Sequence, residues 1–165
     1  MNAQDRFPQD IPNPSPPSGE GGAAMIVALT REPIDAGRLS ATLIAPDCGA
    51  VVTFTGTVRD HHQGRRVKGL SYDAYEVMAL PLLEEIAAGA RDRFSLSRLV
   101  VIHRLGDMAV GEASVFIGVA SPHREEGFAA CRFLIDTIKA QVPIWKKEFY
   151  EDGSAWIEGD LPAGL

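Results

Sequence analysis

Strand-type and helix-type segments interleave along most of this chain, but without the regular strand–helix–strand period of a doubly wound sheet. That irregular order narrows the fold most, and it favours an α+β arrangement. Met25-Ile-Val-Ala-Leu29 begins strand-like. Ala50-Val-Val-Thr-Phe-Thr-Gly-Thr-Val-Arg59 reads as a β-branched strand, with Val52, Phe54 and Val58 on one face and Thr55, Thr57 and Arg59 on the other. A polar loop over residues 60–66 leads to a second strand over 67–75. Residues 79–94 then repeat Leu80, Leu83, Ile86, Ala87, Ala90 and Phe94 at helical spacing.

Strands over residues 98–103 and 113–120 follow, and a second helix is expected over 122–141, burying Phe128, Cys131, Leu134, Ile135 and Ile138. Residues 144–151 and 154–158 flank Asp152-Gly153, a two-residue hairpin turn. A chain of 165 residues supports one well-buried domain, expected here over 25–160, and is short for two. Residues 1–24 hold 5 of the 11 prolines and close on Gly-Glu-Gly-Gly, so they read as a disordered tail; residues 161–165 read as a C-terminal tail.

The formal net charge of −6 argues against broad nucleic-acid or membrane-surface binding, since both need an extended basic field. Any anion recognised must be met by a local cluster of cations. Cys48 and Cys131 form no paired motif and fit a reduced protein. With no apolar run of membrane length and no basic-then-apolar leader, the expected location is cytoplasmic.

Cations do gather locally, at the two ends of the second helix. Ser121-Pro122-His123-Arg124 opens it, with serine at the cap and proline at the first helical position. That start is either a well-made helix terminus with a solvated arginine, or an anion site in which free N–H groups are joined by His123 and Arg124. Lys139 lies in the last turn, where a cation complements the helix dipole. It also sits about 100° round from Ile138, at the border of the buried face. Desolvation and a second cation at Lys146 would both favour a free amine for nucleophilic or base work.

Lys146 and Lys147 are adjacent in a strand and point to opposite faces, so at most one enters a given site. Arg59 is a surface charge or, with Thr57 on the same face, a bidentate anion ligand. His61-His62 lacks a suitably spaced third ligand for a metal. His103-Arg104, at a strand end, reads as structural. Arg124 and Lys139 stand 15 residues apart, roughly 22 Å on a straight helix, so both can serve one small substrate only if two protomers share the site. A homodimer with composite sites is therefore expected.

Four ordered motifs carry a family resemblance: Phe54-Thr-Gly-Thr-Val-Arg59, Val101-Ile-His-Arg-Leu-Gly106, Val119-Ala-Ser-Pro-His-Arg124, and Lys139-Ala-Gln-Val-Pro-Ile-Trp-Lys-Lys-Glu148. Over residues 26–160 the chain resembles the large, catalytic subunit of molybdopterin synthase. The resemblance implies an α/β hammerhead-type fold with an additional antiparallel sheet and hairpin, and a homodimer core. It also implies a small ubiquitin-like carrier subunit at each end, giving a heterotetramer. The carrier's C-terminal Gly-Gly thiocarboxylate would deliver sulfur to cyclic pyranopterin monophosphate, building the dithiolene of molybdopterin in two rounds without a metal or other cofactor.

By motif, Lys139 would be the principal catalytic lysine and Lys146 the second. Thr57, Val58, Arg59, His123, Arg124, Lys147 and Glu148 would bind substrate. A different class of function is a non-catalytic partner that only grips the carrier's C-terminus. A stand-alone phosphoester hydrolase is disfavoured, because no metal set or nucleophile–base pair is legible.

Overall fold

Two segments, Arg98–Arg104 and Ala113–Ser121, are buried at nearly every position, because helices cover both faces of the sheet they share. The computed structural model describes residues 24–157. The tail expected over 1–24 lies outside the described residues except for Ala24, and so do the expected C-terminal tail at 161–165 and the domain end at 158–160.

In chain order the elements are β1 (Ala24–Thr30), α1 (Ala36–Ala41), β2 (Ala50–Thr57), β3 (His61–His62), β4 (Arg65–Ala74), α2 (Glu76–Phe94), β5 (Arg98–Arg104), β6 (Gly106–Ala109), β7 (Ala113–Ser121), α3 (Arg124–Gln141), β8 (Ile144–Tyr150) and β9 (Gly153–Ile157). The first sheet runs β1-β5-β7-β2. Its β1–β5 pair is parallel, and β5–β7 and β7–β2 are antiparallel.

Alternation along β5 and β7 divides the core. Leu99, Val101, Val115, Ile117 and Val119 face α2 and α3, where they meet Leu83, Ile86, Ala87, Ala90, Ala130, Cys131, Leu134, Ile135 and Ile138. Val100, Ile102, Phe116 and Ala120 face the other way, onto Leu39 and Leu43 beside α1. Each large side chain so buried contributes roughly 1.5–3 kcal/mol.

A second, antiparallel sheet runs β3-β4-β8-β9, with β6 also paired to β4. It is built on β4, which pairs with β8 along its length and with β6 over Gly69–Tyr72. The α+β, hammerhead-type expectation with an additional antiparallel sheet and hairpin matches this architecture.

Several boundaries differ from expectation for identifiable reasons. Helix α2 begins at Glu76 rather than 79 and carries Pro81 within it. The carbonyl that Pro81 leaves unpaired belongs to exposed Val77, where water can satisfy it. Helix α3 begins at Arg124, after a cap at His123. Phe128, expected in the core, is 64% exposed; it stands at the rim of the apolar stripe, about 100° round from Gly127. The hairpin turn is Glu151-Asp152, because Gly153 pairs with Tyr150, and its φ of +137° suits glycine.

Along β2, a register shift between Gly56 and Thr57 breaks the expected face. Val58 consequently leaves the side shared by Val52 and packs with Leu70 and Met108 of the second sheet.

Candidate active site

Pro143 ends α3, since the residue before a proline is driven out of helical conformation. Val142 has φ −79° and ψ 129°, and its N–H still caps the Ile138 carbonyl. The chain then folds back at once as β8 against β4. One sharp reversal therefore carries Lys139, in the last turn of α3, and Lys146, in β8, toward the same end of the molecule.

Cross-strand register places Lys146 opposite Tyr72 and Glu148 opposite Leu70. Opposed residues share a sheet face, with Cβ atoms about 5 Å apart. Tyr72 in turn meets the ring of His103 edge-on, centroids 5.0 Å apart at 85°. His103 follows Leu99 and Val101 on the face of β5 that α3 covers. Burial drives its imidazole down to about 4; a hydrogen bond with the Arg104 carbonyl works against this, and the nearby Lys139 charge adds to it. Lys139 and Lys146 thus border one aromatic pair, Tyr72 and His103.

Beneath Lys146 lies Glu148, only 4% exposed. Its Oε1 is 3.3 Å from Lys146 Nζ and 3.7 Å from His62 Nδ1, and its Oε2 accepts from the Tyr150 hydroxyl at 2.6 Å. Burial works to raise this carboxyl, but the Tyr150 hydroxyl and then Lys146 outweigh it, holding the group below the usual carboxylate range. Lys147 lies on the opposite face of β8, its ammonium 5.5 Å from the Trp156 ring centroid and 6.0 Å from that of Phe149. It does not enter the site that Lys146 borders.

Thr57, Val58 and Arg59 reach the same end. Thr57 pairs with Ala113 at the start of β7, and Val58 exchanges backbone hydrogen bonds with Glu112 and Gly111. The buried Val58 side chain packs on Leu70, the residue opposite Glu148. Arg59 itself lies two residues beyond the strand rather than ending it, and is exposed.

His123 and Arg124 lie elsewhere. The Pro122 carbonyl accepts the Gly49 N–H at the start of β2, roughly 24 Å of strand from Thr57. The expected cap chemistry is also corrected. Ser121 is the last residue of β7, fully buried, and its hydroxyl donates to the His123 carbonyl at 2.7 Å. His123 takes the cap position in extended conformation with no side-chain cap bond, so Pro122 precedes the helix instead of opening it. The first-turn N–H groups there are uncapped by any side chain and stand beside exposed Arg124.

Within one chain the fold gathers Thr57, Val58, Arg59, Lys139, Lys146 and Glu148, and it leaves His123 and Arg124 about 22 Å along α3. Sequence alone gives no site role to Tyr72 or Tyr150, leaves His103 as structural and sets His62 aside for want of a third metal ligand. The every-second-residue series Lys146, Glu148, Tyr150 was a legible signal for Tyr150, and Leu99, Val101, His103 for His103. Tyr72 and His62 had none, because strand pairing is what brings them in.

A family model described as MoaE protein matches residues 29–141. The chain is 53% identical over 110 residues to the molybdopterin synthase catalytic subunit of Oryza sativa subsp. indica, a match covering 67% of this chain and 57% of that protein. The chain thus spans little more than half the length of that plant relative. It is 40% identical over 141 residues to molybdopterin synthase catalytic subunit 1 of Mycobacterium tuberculosis, covering 86% and 95% respectively. Among solved structures, molybdopterin synthase from Staphylococcus aureus aligns with a TM-score of 0.74 at 37% identity, covering 79% of this chain and 95% of that one.

Proposed function

The chain belongs to the MoaE protein family, and from that premise we propose that it is the catalytic subunit of a molybdopterin synthase, a sulfurtransferase. Its substrates are the C-terminal Gly-Gly thiocarboxylate of a small ubiquitin-like carrier and cyclic pyranopterin monophosphate. Sulfur passes from the first to the second, and two rounds complete the dithiolene. The working assembly is a homodimer with a carrier at each end, a heterotetramer acting in the cytoplasm. No described helix is long and apolar enough to cross a membrane.

The observation that carries this reading is the convergence of Lys139 and Lys146 on Tyr72 and His103. Two ammonium groups at one end of the fold suit a ligand pair in which both partners are anionic, a thiocarboxylate and a cyclic phosphate. Arg59 and Thr57 border the same end and supply further donors. Lys139 is the residue assigned to sulfur transfer, with Lys146 as second lysine and Glu148 as its counter-ion.

The distant His123 and Arg124 are assigned to the phosphate of a site shared with a second protomer. Strand β2 supports such an assembly. It lies at the edge of its sheet and bears no charge from Ala50 to Thr57. Val51 and Phe54 are exposed along it, and Phe128 is exposed on α3. Edge strands that remain unpaired are ordinarily protected by charge or proline.

Reconstitution with a thiocarboxylated carrier and the cyclic pterin tests the proposal. Dithiolene product is expected from the wild type, and its absence with a competent carrier sinks the reading. Lys139→Ala should abolish product while keeping carrier affinity. If affinity instead falls in proportion to output, the chain only grips the carrier.

A further inference from the structure

Tyr150 belongs to none of the four motifs, yet it makes the shortest contact to the buried carboxylate of the site. Glu148 divides its two oxygens: Oε2 takes the Tyr150 hydroxyl at 2.6 Å, and Oε1 is left to Lys146 at 3.3 Å. We propose that Tyr150 is a positioning residue for Lys146, locking the Glu148 carboxylate so that Oε1 anchors the Lys146 ammonium beside Tyr72. The inference rests on the reading above that Lys146 belongs to the reacting site.

The geometry favours a lock over simple space-filling. A lysine side chain has four rotatable bonds, and ordering it costs up to about 2 kcal/mol of rotamer freedom. A carboxylate free to turn would offer Lys146 either oxygen and several positions. One oxygen bound to a buried hydroxyl removes that choice before substrate arrives. The tyrosine ring is itself held: it is 7% exposed, and the Arg65 guanidinium lies 3.7 Å from its centroid. Arg65 is tethered to Asp152 in the hairpin turn at 2.8 Å. That exposed ion pair is weak alone, so the buried ring is the fixed element and the arginine a cover.

The groups around Glu148 are few. His62 approaches from β3, and Lys146 and Tyr150 from β8. The paired positions on β4 and β9 are Leu70 and Ala155, which carry no charge. Arg65 and Asp152 act on Tyr150 from beyond it. All of these except the hydroxyl survive in Tyr150→Phe, so the difference between the two proteins isolates one hydrogen bond.

The test uses the full chain, reconstituted with thiocarboxylated carrier and cyclic pterin, comparing wild type with Tyr150→Phe. The expected result is a kcat lower by on the order of tenfold, with the carrier KM unchanged. The Glu148 carboxyl carbon, followed by NMR, should titrate at higher pH in the variant, and the acid limb of the rate profile should move up with it. In a Glu148→Gln background, Tyr150→Phe should cost nothing further, since the tyrosine acts through that carboxylate. Unchanged Glu148 titration with a lower melting temperature marks a merely structural tyrosine and overturns the proposal, as does an additive loss in the Glu148→Gln background. A wild type that makes no product overturns the reading of the site, and Lys146's role with it, whatever Tyr150 does to Glu148.

Discussion

Acidification should destabilise this protein through one buried imidazole. His103 titrates near 6.5 in an unfolded chain, whereas burial against the core beneath α3 brings it to about 4 in the fold. Above pH 6.5 both states are neutral at this position, and stability does not depend on it. Between 6.5 and 4 the unfolded chain takes up the proton and the native state does not, so stability falls as pH falls. Below about 4 both states are protonated and the loss levels off. At about 1.4 kcal/mol per pH unit the ceiling is roughly 3 kcal/mol, of which about 2 kcal/mol is lost by pH 5.

The assay is urea unfolding at a series of pH values from 7.5 to 4.5, for wild type and His103→Gln. Glutamine retains an amide donor for the Arg104 carbonyl without a titrating ring. Buried carboxylates contribute equally to both curves. Whatever the variant costs at pH 7.5, the stability gap between the two proteins should shift by about 2 kcal/mol in the variant's favour by pH 5. The imidazole resonances of His103 should stay close to their neutral positions down to about pH 5 and begin to move only below it. Parallel stability curves, or a His103 midpoint near 6.5, would refute the burial argument and the placement of Lys139 beside that ring.

Two further outcomes test the assembly and the second sheet. Mixing Arg124→Ala chains with Lys139→Ala chains should restore part of the dithiolene yield that each lacks alone, because one intact composite site re-forms in a mixed dimer; no rescue in verified mixed dimers counts against shared sites. Gly69→Ala would place a Cβ 2.7 Å from the Met108 carbonyl oxygen, a backbone atom that cannot swing aside, so β4 and β6 must separate. A loss of about 1–3 kcal/mol is expected in urea unfolding, and an unchanged midpoint would contradict that close approach.

Much of the architecture was legible without coordinates. The stripe Cys131, Leu134, Ile135 and Ile138 specifies a helix and its buried face, and the short apolar runs at 98–103 and 113–120 specify two strands buried on both faces, because such patterns are properties of local geometry. Local pattern also separates Lys146 from Lys147. It failed at Phe128, where the stripe ends at a rim, and at Val58, where a bulge changed the face of the strand. It failed again at Ser121-Pro122, whose cap-like composition serves the end of a strand.

By itself, then, the sequence determined the α+β class, the charges that an anionic ligand requires, the family, and the separation of Arg124 from Lys139 along one helix. Each follows from residue type and from distances counted along the chain. Only the tertiary structure decided which of those charges meet. His103 comes to lie near Lys139, Tyr72 beside His103, and His62 on Glu148 through strand register and helix packing, the last across 86 positions of sequence. No local period encodes such pairings, because they are set by which buried faces cover one another.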